Sequence, residues 1–407
     1  MKSVKNFLII FLLGISSAVP LVLILSTLKA SLVDAGFDLK TIGLFSLISL
    51  PYSLKIFFAP IIDSCKVPFL TKKIGQRKSW IILTQFSLII FISLLGVAGI
   101  VGELQNIIIF ALLVAFASAS QDIVIDGYRI ELIEKENQGL AASFYVYGYR
   151  IGMLISGAGA LALSEVISWD KVYYLMSVFM ALAMIVTIFA KETRENWQPK
   201  AHNFSSWLKV AVIDPVLDFT KRNRWYFIIA FIICFKLGDA FAGNLTLPFL
   251  LDIGFSKIEI ASIAKTFGLF ATLFGVFIGG VLVKKLGINK SLWIAGFGQM
   301  LSNLTFSYLS QIGHNTEALY LVVFAENFSG GIGDSVFVAY LSGLCNVAFS
   351  ATQYALLVSF ATLARSVLAS CAGVVAQSVD WYQFFIFSTL LAIPGLLFLF
   401  LIKNKKS

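Results

Sequence analysis

The chain has 407 residues, 58% of them hydrophobic and 13% charged, with a formal net charge of +9. A soluble domain carries about 25% charged residues, so the composition excludes a soluble enzyme and a disordered tail. The positive balance is not a nucleic-acid footprint, because the surplus falls in short segments between apolar blocks, where lysine and arginine record membrane orientation.

The apolar blocks run to about 20 residues, the length that crosses about 30 Å of hydrocarbon. In chain order they predict twelve spans, at 7–32, 41–62, 80–101, 107–132, 139–163, 172–190, 225–250, 260–283, 291–310, 318–340, 352–377 and 383–402. The first follows a short basic head, as a secretory signal would. Its length and the lack of a small-x-small exit before Asp34 assign it to a span. Basic residues crowd alternate loops: Lys66, Lys72, Lys73, Arg77 and Lys78, then Lys135, then Lys191 to Arg224 with Lys200, then Lys284, Lys285 and Lys290, and finally Lys405 and Lys406. The opposite loops hold only Lys40, Lys171 and Lys257, which places both termini in the cytoplasm.

The chain repeats itself. LVDAGFDLKTIG (32–43) is echoed by LLDIGFSKIEIA (250–261), Arg150 by Arg365, and SWDKVYYLMS (168–177) by DWYQFFIFST (380–389). Three echoes in one order, roughly 210 to 220 residues apart, indicate two parallel six-span halves, 1–190 and 225–407, the pattern of a transporter. The linker 191–224 is basic, with two short helices expected at 206–213 and 215–221 and Asp214 as the cap of the second. Trp207, Leu208 and Val212 would face the membrane, unless the segment is a solvated tether.

Seven basic residues fall inside the spans: Lys29, Lys55, Arg129, Arg150, Lys236, Lys265 and Arg365. The acids at comparable depth are Asp122, Asp126, Asp239, Glu326 and Asp334. Charges in hydrocarbon face a bundle interior or a wet cavity, so a net-positive interior indicates a pathway for an anionic solute. Lys29 can snorkel and receives no role. Span four carries QDIVIDGYRIEL (121–132), which puts Asp122, Asp126 and Arg129 on one helix face. Two neighbouring carboxylates favour a shared proton, which suits proton coupling; the alternative is a static network that braces a gate. Arg150 supplies a bidentate clamp for a carboxylate or phosphate, or else pairs with Asp122 or Asp126. Gln121, Lys55, Lys265, Lys236, Arg365, Glu326 and Asn327 complete the candidate substrate site. Lys236, Asp239 and Asn244 could close an internal ion pair, and the glycines of AENFSGGIGDS (325–335) suggest a loosened helix that admits a ligand. Gly148, Gly152 and Ser156 form a ridge for close helix packing.

The loop after span two resembles the signature of the major facilitator superfamily in Ala59, Asp63, Gly75, Arg77 and Lys78, with an insertion between Asp63 and Gly75. Such a loop clamps the cytoplasmic side through charge pairs, so Asp63, Arg77 and Lys78 are candidate gate residues. There is no GxxxxGK[ST] for ATP. His202 and His314 lie outside the spans, so no histidine relay crosses the membrane. The scattered cysteines, Cys65, Cys234, Cys345 and Cys371, predict free thiols and no metal site. The Asp122–Asp126 spacing also raises an intramembrane prenyl-type transferase with Mg²⁺ and diphosphate, but the second acidic motif it needs is missing.

Several runs are similar to the AmpG muropeptide permease family. They are 16–47, LPYSLKIFFAPIID (50–63), GQRKSWIILTQ (75–85), SQDIVIDGYRIELI (120–133), YGYRIGMLISG (147–157) and ENFSGGIGDSVFVAYLSGLCN (326–346). The resemblance implies an all-α major facilitator fold in the bacterial cytoplasmic membrane. It implies proton-driven import of 1,6-anhydro-muropeptides for cell-wall recycling and, in some bacteria, β-lactamase induction. The expected partner is an anionic glycopeptide, with no cofactor beyond the proton gradient, and the chain is expected to act as a monomer. Lys29 and Asp334 depart from the family pattern. A carrier of another anionic metabolite, such as a coenzyme A thioester or a nucleotide, is the alternative.

Overall fold

Long apolar blocks without strand-like alternation satisfy their backbone polar groups internally, as a bilayer requires. The computed structural model describes residues 2–194 and 203–403, and no strand occurs among them. Lys200, His202, Lys405 and Lys406 lie outside the described residues. We number the principal helices in chain order: α1 Val4–Asp34, α2 the bent pair Lys40–Ser53 and Lys55–Ser64, α3 Gln76–Gly99, α4 Leu104–Leu132, α5 Lys135–Ser164 and α6 Trp169–Phe189. They continue with α7 Trp225–Asp252, α8 Lys257–Leu286, α9 Ile288–Ile312, α10 Thr316–Leu344, α11 Val347–Ser378 and α12 Trp381–Ile402.

Ten of these helices are long and apolar enough to cross a membrane, and eleven when the bent pair counts as one. The ninth expected span is a continuous 25-residue helix, α9, but stands outside that set. Its polar residues Gln299, Ser302, Asn303 and Ser307 lower its apolarity, and all four are buried. Elsewhere too the polarity is inverted relative to a soluble protein. Phe86, Leu94, Leu112, Phe116, Phe274, Phe277 and Leu301 are exposed, whereas Gln85, Gln121, Arg129 and Gln299 are buried. A lipid-facing exterior requires this arrangement.

The described chain forms two compact units. One comprises Met1–Lys135, Phe144–Val216 and Cys345–Leu356, and the other Glu136–Ser143, Leu217–Leu344 and Leu357–Ser407. In the first, α3 packs against α4 and α6. Helices α1 and α5 meet backbone to backbone: a Cβ on Gly148 would lie 1.9 Å from the Phe11 carbonyl oxygen, and one on Gly14 2.4 Å from that of Tyr145. The expected small-residue ridge thus packs α5 on α1, and Thr27 Oγ1 donates to the Ser156 carbonyl at 2.5 Å. In the second unit, α9 packs against α10 and α12, and α8 against α10. The expected loosened helix at 325–335 is not found. Helix α10 is unbroken from Thr316 to Leu344, and Gly331 lets the Thr272 carbonyl approach to 2.3 Å of where a Cβ would stand. Gly331 and Gly333 thus serve packing against Thr272 and Gln299, whereas a Cβ on Gly330 would meet nothing within 4 Å.

The echoed segments fold alike. Each turns at a glycine in the left-handed region, Gly36 (φ 80°) and Gly254 (φ 98°). Each acid before the turn accepts an indole N–H, Asp34 from Trp169 at 2.9 Å and Asp252 from Trp381 at 2.6 Å. The linker differs from expectation. Residues 204–220 form one run, Phe204–Leu208, a π turn Lys209–Ile213, and Asp214–Thr220. Asp214 is helical (φ −60°, ψ −40°), so it caps nothing. Asn203 caps the run instead, and the Trp207 indole points to protein, donating to Ser64 Oγ at 2.8 Å.

Candidate functional site

Helix α2 bends by 41° at Leu54, and Lys55 is the first residue beyond the bend. Its Nζ lies 2.6 Å from Asp122 Oδ2 on α4 and 5.2 Å above the Tyr52 ring. Each charge offsets the desolvation of the other, which makes a pair tolerable at this depth. Asp122 Oδ1 and the neighbouring Gln121 Oε1 are buried and make no hydrogen bond. Gln121 Nε2 donates to the Ser16 carbonyl at 2.9 Å, so this amide holds α4 on α1. One turn on, Asp126 pairs with Arg129 at 3.3 Å. The Arg129 guanidinium is fully buried between the Tyr145 and Tyr354 rings, 5.2 and 5.3 Å from their centroids, an arrangement that favours a desolvated cation. Arg150 is partly buried on α5, and Tyr149 beside it feels the charges of Asp122, Asp126 and Arg150 together.

The second unit has its own charged cluster. Lys236 occupies a break in α7 between Trp225–Cys234 and Leu237–Gly243, with non-helical φ −111° and ψ 18°. Its ammonium bonds Asp334 on α10. The expectation of an internal pair within span seven is corrected to that extent: the lysine's bond leaves α7 for Asp334 on α10, and Asp239 lies within electrostatic reach of Lys236, Asp334 and Arg365. Asp334 stands at the repeat interval from Asp122, so repeat-related aspartates on α4 and α10 each hold a lysine. Glu326 is partly buried within electrostatic reach of Asp239 and Lys265, and Lys265 is exposed. Asn327 accepts from Thr272 Oγ1 at 3.1 Å and donates to the Val323 carbonyl at 2.9 Å, which commits it to packing α8 on α10.

A third cluster lies at the ends of α2, α3, α4 and α6. Arg77 is fully buried, with its Nη2 2.7 Å from both Asp63 Oδ1 and Glu131 Oε1 and 2.8 Å from Ser350 Oγ. Arg194 reaches the same two carboxylates at 3.1 and 2.7 Å. Ser350 Oγ and Thr193 Oγ1 donate to Glu131 at 2.6 and 2.7 Å, and the Thr352 N–H donates to Asp63 Oδ2 at 3.0 Å. Glu192 accepts the backbone N–H groups of Arg77 and Lys78 at 3.2 and 2.8 Å. It thereby caps α3 from the end of α6 and adds negative charge where the helix dipole favours it. Gly75 (φ 86°) makes room, since its Cβ would fall 2.2 Å from Glu192 Cγ. Lys78 sits apart from Asp63, its Nζ donating to the Ile188 carbonyl at 2.8 Å.

A family model described as the Major Facilitator Superfamily matches residues 6–367. The chain belongs to the Major Facilitator Superfamily. Within it, AmpG 4 of Rickettsia felis is 39% identical over 98% of this chain and 96% of its own length. The anhydromuropeptide permease of Escherichia coli K12 is 38% identical over 96% of this chain and 78% of its own. The chain is therefore an AmpG-family member of the superfamily. A crystal structure of the superfamily transporter FucP in the outward conformation covers the whole chain with a TM-score of 0.72 at 13% identity, a likeness of fold.

A Major Facilitator protein is a multi-pass membrane carrier of small molecules, not an enzyme, and such carriers draw on ion gradients in place of a cofactor. The transferase alternative also lacks its chemistry, because Asp122 and Asp126 are each paired with a cation. Of the gate cluster, Asp63 and Arg77 were read from the sequence, whereas Glu131, Glu192, Arg194, Ser350 and Thr352 were not. The run Glu192-Thr-Arg194 directly after an apolar block was a usable signal. Ser350 and Thr352 contribute a hydroxyl and an N–H at a helix start, which no residue pattern marks.

Proposed function

We propose that the chain imports anhydro-muropeptides across the bacterial cytoplasmic membrane, coupled to protons, by alternating access of two six-span halves, 1–190 and 225–407, joined by the linker 191–224. The name of the Escherichia coli relative supports the cargo class. The matching turns at Gly36 and Gly254, with their Trp–Asp bonds, support the two halves. Twelve spans, cytoplasmic termini and a monomer in the lipid bilayer complete the reading, supported by the loop charges.

The observation that carries the coupling is the Lys55–Asp122 pair, buried in a span with one carboxylate oxygen free of any donor. A carboxylate held by a single lysine can exchange that partner for a proton, and a released lysine can meet the anionic cargo. Arg150, Arg365, Lys236 and Lys265 supply further positive charge toward the cargo, with Glu326 beside them. Gln121 and Asn327 hold the helices that form the wall. Asp126 and Arg129 brace α4, and Asp63 with Arg77 closes the cytoplasmic end, with Lys78 at its edge.

The test is uptake of labelled anhydro-muropeptide into cells lacking their own permease, with and without an uncoupler. The Asp122→Asn variant is expected to lose uphill accumulation while keeping exchange of cargo across the membrane. Accumulation that survives either the uncoupler or the substitution refutes proton coupling through Asp122.

A further inference from the structure

The insertion between Asp63 and Gly75 has no part in the charge cluster, yet it is firmly built. Thr71 Oγ1 accepts the Val67 N–H at 2.8 Å and shares a 3.0 Å hydrogen bond with Ser79 Oγ. The Trp80 indole donates to the Cys65 carbonyl at 3.0 Å. The face these bonds leave outward carries Phe69, 85% exposed and held at φ 62°. For a bulky residue that conformation is strained. Lys66, Lys72 and Lys73 flank it within four residues of chain, all exposed, and no acid occurs from Ser64 to Gly102. The patch lies where α2 ends and α3 begins, at the ends of two candidate membrane spans. Through the bond from Trp207 to Ser64 it adjoins Phe204, which is 76% exposed and stacked on Trp207.

We infer that this insertion is a foot that docks on anionic phospholipid headgroups, with Phe69 inserted at the glycerol level and Lys66, Lys72 and Lys73 against the phosphates. An aromatic ring prefers the membrane interface, and a cluster of lysines beside a span is drawn to acidic lipid. The fixed presentation of Phe69 between the ends of two candidate spans favours a membrane surface over a soluble partner. The inference goes beyond transport and stands whether or not the cargo is a muropeptide.

The test places an environment-sensitive fluorophore at Phe69→Cys in the full chain stripped of native cysteines, reconstituted in nanodiscs. Pro68→Cys serves as a second reporter in case the first substitution disturbs the turn. We expect blue-shifted emission, quenched by lipids brominated near the glycerol. At equal mole fraction, brominated phosphatidylglycerol should quench several-fold more than brominated phosphatidylcholine. The triple variant Lys66→Gln, Lys72→Gln, Lys73→Gln should lose that preference and keep the blue shift. Water-like emission without quenching, as a cytosol-facing or protein-docking site would give, overturns the inference. Equal quenching by the two lipids overturns the anionic part of it.

Discussion

Arg77 brings five N–H donors into a site with no exposure, so each needs an acceptor or goes unmet. Asp63, Glu131 and Ser350 accept from its Nε and Nη2, a fork that lysine cannot match, while its buried Nη1 makes no hydrogen bond. Arg77→Lys keeps the charge but drops the fork, and is therefore expected to lower stability by about 1.5–3 kcal/mol, the worth of a hydrogen bond to a charged group, read as a lower melting temperature in detergent. Lys78→Gln should move the same melt by less than about 1 kcal/mol, since a partly exposed ammonium on one carbonyl contributes little. If both variants melt alike, the cluster is not the keystone described here. Asp63 and Arg77 were legible in the sequence because they stand 14 residues apart in one loop motif. Glu192 and Arg194 were not, because their partners in the cluster lie more than 60 residues away. The lysine partners of Asp122 and Asp334 were hidden for the same reason: helix periodicity reports a face, not what another helix brings to it.

At the scale of the element, glycine contacts separate two kinds of site that look identical in sequence. Gly148→Ala drives a methyl into the Phe11 backbone carbonyl, which no rotamer can relieve, so α1 and α5 must part. Overpacking of this kind costs about 1–3 kcal/mol or more. Gly99→Ala meets nothing within 4 Å and should leave melting and uptake unchanged. Thermal shift of the two variants in one detergent checks the pair, and equal losses would contradict the packing described. The indole bonds at the two repeat turns offer a matched test. Trp169→Phe and Trp381→Phe each remove one hydrogen bond, worth about 0.5–1.5 kcal/mol. The bonds share no partner, so the double variant should show the sum. Helix existence was legible because apolar length alone predicts it. The bends at Leu54 and Lys236 were not, because neither position carries a proline or glycine to announce a break.

For the molecule as a whole, the topology is tested most directly at α9, whose buried amides and hydroxyls weaken the apolar signal that reveals the other spans. Reporter fusions at Gly287 and Gly313, either side of α9, are expected to give opposite sidedness. Identical sidedness would leave an odd number of crossings and reverse α10, α11 and α12. The loop charges and the repeat were legible because they accumulate over the whole chain, whereas any single buried pair depends on one contact.

The charge cluster also has a timetable. Asp63 leaves the ribosome long before Thr352, the backbone donor it finally accepts, 289 residues further on. At about 5–20 residues per second, that interval lasts roughly 15 to 60 seconds. Arg77 and Glu131 are already in place by then, but the start of α11 is still to be made. The nascent first half must wait in the membrane with an acidic centre short of its last donors. The speed of elongation therefore sets how long this protein is exposed to quality-control proteases, and synonymous codon changes between the codons for Glu131 and Ser350 can alter its yield without altering one residue.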